Sequence, residues 1–332
     1  MSKALTIGVV GAGAWGTALA QMLASDGRDV LLWALEDGLA DTINTSRCND
    51  LYLPSAVLAP GIQATDDLAR IAALDIALIV TPAQHLGSVM RAMPALPRDL
   101  VLCSKGIEAG SGRMMHDVAH DIAPASDIAV LSGPTFAHEV AAGLPTAVTL
   151  ACGGGAQQWE RLSPVIARPT FRPYYSEDLV GAEVGGSVKN VLAIACGVVE
   201  GLRLGQNARA ALISRGYAEM LRFGEALGAS RDTLAGLCGL GDMVLTCSST
   251  SSRNFSLGKA LGEGQSAASL MADRRTVAEG AHTAPVLRDL AVRLNVAMPI
   301  VDAVCRLLDG GSAGAVVQDL LTRPLKAEGT DP

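Results

Sequence analysis

The 332-residue chain carries 49% hydrophobic and 18% charged residues, a balance that excludes disorder, and it is long enough for two domains with a core each. Its net charge of −7, with no run of Lys or Arg, argues against nucleic acid or an anionic membrane as a partner. An anionic substrate therefore needs a local cluster of basic groups.

The first stretch, residues 4–25, is uncharged and follows Lys3. Four glycines weaken any apolar helix there, and the part before Gly11 is short and β-branched, so it reads as a buried strand and not as a leader or membrane span. Short apolar runs at 5–10, 30–33, 76–80, 100–103, 128–131 and 147–150 predict buried parallel strands. Between them, 17–24, 111–122 and 156–166 have helical spacing. This alternation predicts an α/β fold with a doubly wound, Rossmann-type sheet. After Tyr175 the strand-like runs stop. Helical patterns follow at 179–202, 208–227, 256–261, 277–294 and 298–308, giving an all-helical C-terminal domain. The boundary is set near Ser176: a dinucleotide-binding domain at 1–176, a substrate-binding domain at 177–332, and a frayed tail at 323–332. Seven scattered cysteines without a C-x-x-C read as reduced thiols of a cytoplasmic protein.

Gly11-Ala-Gly13-Ala-Trp-Gly16 follows a predicted strand and opens a predicted helix. In that context it is a dinucleotide fingerprint: Gly11 makes the turn, Gly13 admits the pyrophosphate, and Gly16 lets helix and strand pack closely. Ala14 and Trp15 then meet the cofactor through their backbone at the helix N-terminus. The second strand runs into Trp33-Ala-Leu-Glu36-Asp37, with no Lys or Arg in that window. This favours NAD over NADP, although the two acids lie a little late and also suit the start of the next helix.

Reducing a ketone with hydride needs a group that steadies the alkoxide and supplies a proton. Only five lysines are present. Lys105, in Cys-Ser-Lys-Gly, sits just past a strand end, where open α/β sheets bind ligands. Lys189 lies on an otherwise apolar helix among small residues. It reads either as a desolvated acid–base group or as a lysine that snorkels to the surface. Arg253, between Ser252 and Asn254, reads either as a phosphate clamp or as a solvated residue at a capped helix start. Leu240-Gly241-Asp242 is a glycine-punctuated turn. Gly133-Pro-Thr135-Phe-Ala137 offers hydroxyl and N–H donors, or is simply a strand–helix link.

Taken together these segments resemble the bacterial-type NAD(P)-dependent glycerol-3-phosphate dehydrogenase family. The motifs run in order: GAGAWGTALA (11–20), SKG (104–106), SGPTFAHEVAAGLPTA (132–147), VKNVLAI (188–194), NARAALISRG (207–216), GLGDMVLTC (239–247), SRN (252–254) and VAEG (277–280). The resemblance implies interconversion of dihydroxyacetone phosphate and sn-glycerol 3-phosphate for glycerophospholipid synthesis. It implies Lys189 as proton donor or acceptor and Lys105 on both substrate and cofactor. Gly133, Thr135, Asp242, Ser252, Arg253 and Asn254 line the substrate site. Ala14, Trp15, Ala137, Val277 and Glu279 bind the dinucleotide, and Arg253 also reaches it. A homodimer is expected, because many members form one. The chain departs from the family at Leu35, beside the adenosine end, where members often carry a polar or basic residue; this puts 2′-phosphate recognition in doubt. Two competing readings are a ketopantoate or 3-hydroxyacyl type of reductase and a dinucleotide sensor without turnover. The first would lack SRN and GLGD in this order, and the second leaves Lys189 and Arg253 without a purpose.

Other features read plainly. His116 and His120 are one turn apart but lack the Glu and third ligand of a zinc protease, so no metal site is expected. His138 has no assigned role. Cys238 and Cys247 read as small buried hydrophobes, and Trp33 and Tyr52 as packing residues.

Overall fold

A computed structural model describes residues 5–272 and 278–325. The chain divides into two compact units. One comprises Met1–Ser104 with Met114–Leu179, the other Lys105–Arg113 with Val180–Pro332. The division therefore falls three residues beyond Ser176, and the segment carrying Lys105 groups with the helical unit. Two contacts hold it there: Lys105 pairs with Asp242, and the Arg293 guanidinium donates to the Ser111 carbonyl at 3.2 Å. The tail from residue 326 onwards lies outside the described residues.

The first unit is built on ten strands: β1 Ile7–Val10, β2 Val30–Trp33, β3 Cys48–Asn49, β4 Leu53–Val57, β5 Ile62–Thr65, β6 Ile76–Ile79, β7 Asp99–Leu102, β8 Asp127–Ser132, β9 Thr146–Cys152 and β10 Phe171–Ser176. Eight form one sheet in the order β10-β9-β8-β7-β6-β1-β2-β5, while β3 and β4 make a small antiparallel ribbon. Every neighbouring pair in the large sheet is parallel except β8 with β9, so β9 and β10 run against the rest. The interior strands β1, β6 and β7 are buried along their whole length. That burial on both faces is why they appear in sequence as continuous apolar runs. The chain passes from β1 to β2 on one side and returns to β6 on the other, so the topological switch point lies between β1 and β6.

Two outer strands, β5 (IQAT) and β10 (FRPYYS), were not expected from sequence, because edge strands are half-solvated and carry polar residues. The helices Leu39–Ser46, Ala83–Ala92 and Ala313–Leu321 were likewise not expected. The helix expected from residue 111 begins at Met115, after a turn at 110–111.

The second unit is helical. Its centre is Leu179–Gly201, buried from Gly181 to Val199. This helix is long and apolar enough to cross a bilayer, yet its apolar window lies wholly inside the protein and holds Glu183 and Lys189, as in a core helix. It crosses Arg253–Gly262 through glycines. A Cβ on Gly197 would stand 2.1 Å from the Phe255 carbonyl oxygen, and one on Gly258 would stand 1.9 Å from that of Ile194. Backbone-to-backbone contact of this kind sets the spacing of the two helices.

Candidate active site

The loop after β1 has the geometry that phosphate binding needs. Gly11 adopts φ +115°, and a Cβ there would press on the Val80 carbonyl oxygen at 3.1 Å, at the switch point itself. A Cβ on Gly16 would stand 1.8 Å from the Gly11 carbonyl oxygen, so only glycine lets the helix start this close to the strand. Gly13 N-caps the helix Ala14–Ala24 without a side-chain cap, and the space its Cβ would take is open. The first N–H groups of that helix are therefore available to an anion. Trp15 Nε1 is buried without a hydrogen-bond partner among the described residues. An uncapped helix start, open space above Gly13 and an orphaned indole N–H together fit the phosphates of a dinucleotide.

Sequence reasoning missed what braces this loop. Asn49, wholly buried, donates to the Ala12 carbonyl at 2.7 Å and to Thr17 Oγ1 at 2.8 Å, while Thr17 Oγ1 donates to the same carbonyl at 3.1 Å. An isolated Asn before a turn carries no sequence signal for this role. Ala137 begins the short helix Ala137–Ala141 and packs against the core of the first unit. Gly133 lies under Val148, and Thr135 Oγ1 is turned back onto the Gly133 carbonyl at 3.2 Å. Leu35, just past β2, is 71% exposed.

Lys105, Lys189 and Asp242 meet within the second unit. Lys189, 4% exposed, projects from the central helix and donates to Asp242 Oδ1 and, at 3.1 Å, to Thr246 Oγ1. Lys105 Nζ donates to the other oxygen, Asp242 Oδ2, at 3.0 Å. Asp242 is fully buried, so one carboxylate bridges two ammonium groups, and Thr246 donates to it at 3.3 Å. Lys189 is thus desolvated, and the reading of it as a lysine that snorkels to the surface fails. Thr246 was not anticipated; it lies one helical turn after Asp242, the only sequence hint.

The local fold explains the meeting. Residues Leu237–Gly241 form one wide π-helical turn leading into Asp242–Thr246. Gly185 of the central helix packs on that turn: a Cβ there would stand 2.2 Å from the Cys238 carbonyl oxygen. Lys189 lies four residues on, hence on the same helix face, and is aimed at Asp242. Burial pushes the Lys189 ammonium down to about 7 against the pull of Asp242, and the charge of Lys105 adds to the depression. For Lys105 burial acts in the same sense, but Asp242 outweighs it and holds that lysine above the ordinary range, with Glu279 contributing.

Ser252 N-caps Arg253–Gly262 by accepting from the Phe255 N–H at 3.2 Å. Asn254 is buried and accepts from the Gly280 N–H at 2.9 Å, tying this helix to Glu279–Arg293. Arg253 is exposed at the helix start and makes no ion pair among the described residues. Glu279, half-buried, opens its helix. Val277 lies outside the described residues. Cys238 and Cys247 are buried; hydrogen bonding with the neighbouring Cys196 thiol, and then burial, push Cys247 well above the ordinary range. Among the described residues no cluster of His, Cys, Asp or Glu is placed to hold a metal ion. Tyr52 departs from its expected packing role: it is 36% exposed and its hydroxyl donates to Glu36 Oε1 at 2.6 Å.

Two family models cover most of the chain: the NAD-dependent glycerol-3-phosphate dehydrogenase N-terminus matches residues 6–157 and the corresponding C-terminus matches 178–317. The chain belongs to the NAD-dependent glycerol-3-phosphate dehydrogenase family. It is 69% identical over 322 residues to glycerol-3-phosphate dehydrogenase [NAD(P)+] of Erythrobacter litoralis, covering 97% of each chain. It is 71% identical over 323 residues to that of Novosphingobium aromaticivorans, covering 97% of this chain and 98% of the relative. A crystal structure of glycerol-3-phosphate dehydrogenase from Coxiella burnetii superposes with a TM-score of 0.91 at 39% identity, covering 96% of this chain and 99% of that one. Membership makes the chain an NAD(P)-dependent oxidoreductase with a Rossmann-type first unit and a helical second unit.

Proposed function

We propose that the enzyme reversibly reduces dihydroxyacetone phosphate to sn-glycerol 3-phosphate, with Lys189 as the proton donor, and so supplies glycerophospholipid synthesis. The observation that carries this reading is the buried Lys189–Asp242–Lys105 bridge, with Lys189 depressed to about 7. A group at that value holds its proton about half the time near neutrality and serves either direction.

A nicotinamide dinucleotide held at Gly11, Gly13 and Gly16 would supply hydride chemistry at the ketone carbon in either direction. Lys189 Nζ gives its proton to the oxygen as that oxygen becomes an alkoxide, and accepts it in the reverse reaction. Asp242 holds Lys189 and Lys105 side by side, so two cations face the developing negative charge. Thr246 fixes Lys189 Nζ by accepting a further hydrogen bond from it. Arg253, exposed and uncommitted to a carboxylate among the described residues, clamps the substrate phosphate, with Ser252, Asn254, Gly133 and Thr135 completing the substrate contacts. The dinucleotide is assigned to the first unit: Gly11, Gly13, Ala14, Trp15 and Gly16 at its phosphates, Leu35 at its adenosine end, and Ala137. The family resemblance adds Lys105, Arg253, Val277 and Glu279 to the groups that contact it. A homodimer in the cytoplasm is the expected form.

The test is absorbance at 340 nm with dihydroxyacetone phosphate and either NADH or NADPH. Loss of absorbance supports the reaction. No loss with either, while NADH still binds by fluorescence, would overturn the substrate and leave the dinucleotide site standing.

A further inference from the structure

Lys105 stands on a strap, residues 105–113, that belongs to the second unit although β7 before it and the helix Met115–Ile122 after it belong to the first. Such a segment stays with the second unit only as far as contacts inside that unit hold it. At its start the hold is the Lys105–Asp242 pair, and Ile107 is fully buried. Its far end closes into a compact turn. The Glu108 N–H donates to the Arg113 carbonyl at 3.0 Å, the Gly112 N–H donates to the Glu108 carbonyl at 2.9 Å, and Ser111 Oγ donates to Glu108 Oε2 at 2.5 Å. The Ser111 carbonyl is left for Arg293, whose Nη1 and Nη2 donate to it at 3.2 Å and 3.3 Å.

Arg293 ends the helix Glu279–Arg293. That helix begins at Glu279, whose charge supports the Lys105 ammonium, so one helix bears on both ends of the strap. A cation in a last helical turn is favoured by the helix dipole wherever it points. What marks this one is Gly112, which adopts φ +70° and where a Cβ would stand 1.9 Å from Arg293 Nη2. The turn is shaped to admit the guanidinium, and any side chain at 112 would displace it.

We infer that Arg293, admitted by Gly112, clasps the strap and is a positioning residue that keeps Lys105 seated on Asp242 beside Lys189. The inference rests on the proton-transfer reading above. Arg293 acts through the strap and not on the reacting atoms, and its loss has a signature in pH. The charged and titratable groups that act on Lys189 are Asp242, Lys105 and the Cys247 thiol, the last held neutral. While Lys189 carries its proton it repels Lys105 and competes with it for one carboxylate, so an unclasped Lys105 is released. Once Lys189 loses that proton, above about 7, Asp242 is left to Lys105, which seats without the clasp.

The experiment measures kcat/KM for dihydroxyacetone phosphate against pH in the full-length protein, with NADH or NADPH, whichever is turned over. Arg293→Gln removes the cationic donor, and Gly112→Ala leaves the charge but pushes the guanidinium away. Both are expected to lose at least about threefold at about pH 6, part of what a hydrogen bond from a charged group is worth, and less than about 1.5-fold at about pH 8.5. A merely loosened helix end would lower activity by the same factor at every pH. A smaller loss at the acid end, or a loss that does not change with pH, in either variant would overturn the inference. Wild type that reduces no dihydroxyacetone phosphate with either coenzyme would overturn the reaction, and this positioning role with it.

Discussion

Replacing Asp242 with Asn removes the charge that lies between two buried ammonium groups while keeping the side chain's size. At 3.0 Å and an effective dielectric of about 20, its attraction for Lys105 reaches about 5 kcal/mol as an upper bound. Little of that is expected as lost stability, because an unpaired buried lysine sheds its proton instead. Lys189 sits at about 7 only because Asp242 opposes burial and Lys105. Without Asp242 burial acts on Lys189 unopposed, and its pKa falls below that value. The readout is kcat/KM for ketone reduction against pH. Reduction consumes the lysine proton, so wild-type activity declines as pH rises through about 7. In Asp242→Asn the decline is expected to start at least about one unit lower, which is ~1.4 kcal/mol of differential interaction. Activity at pH 7 then falls about fivefold or more, because a group that was half protonated there keeps its proton less than about a tenth of the time. In the oxidation direction the unprotonated amine is needed, so there the limb that rises with pH moves down as well. A decline that stays in place, or moves to higher pH, would refute the bridging role of Asp242.

Lys189→Ala is expected to lower turnover at least ~10²-fold while NADH binding by fluorescence is unchanged; near-normal turnover removes Lys189 from the mechanism. Arg253→Ala is expected to raise the KM for dihydroxyacetone phosphate far more than it lowers kcat, and an unchanged KM argues against the phosphate clamp. Gly185→Ala places a Cβ 2.2 Å from the Cys238 carbonyl, which is backbone and cannot yield. It is expected to lose about 1–3 kcal/mol of stability and to lower kcat by drawing Lys189 off Asp242; a wild-type melting temperature with wild-type kcat refutes the packing argument. Glu219, 2% exposed, accepts from the Ile300 and Val301 N–H groups, yet burial pushes it up to about 8. Between its ordinary 4.5 and about 8 the folded protein keeps a proton that the unfolded chain has lost, so this group's contribution to stability is full below 4.5 and fades as pH rises to about 8. Relative to wild type, Glu219→Gln is expected to gain on the order of 3 kcal/mol between about pH 5 and 8; parallel melting temperatures across that range would show that Glu219 does not titrate there.

Much of the first unit is legible in the amino-acid order alone. Strands buried on both faces must be continuously apolar, so β1, β2, β6, β7, β8 and β9 are each marked by a run of Ile, Val, Leu and Ala. The spacing of Gly11, Gly13 and Gly16 is dictated by local sterics, since turn, open face and close packing are each decided within six residues. Lys105, Lys189, Asp242 and Arg253 are likewise marked, as rare polar residues in glycine-rich or apolar surroundings. Their relations are another matter. Whether Lys189 faces water or the core depends on what packs against its helix, and Gly185 lying on the Cys238 carbonyl decides it. That Asp242 bridges Lys189 to Lys105, 137 residues away in the chain, follows only when residues 105–113 join the helical unit. Edge strands β5 and β10 stay hidden because their neighbours, and not their composition, make them strands. The depressed Lys189 and the Tyr52–Glu36 contact belong to the same class: burial and opposing charge are properties of a place, and only the tertiary structure makes the place.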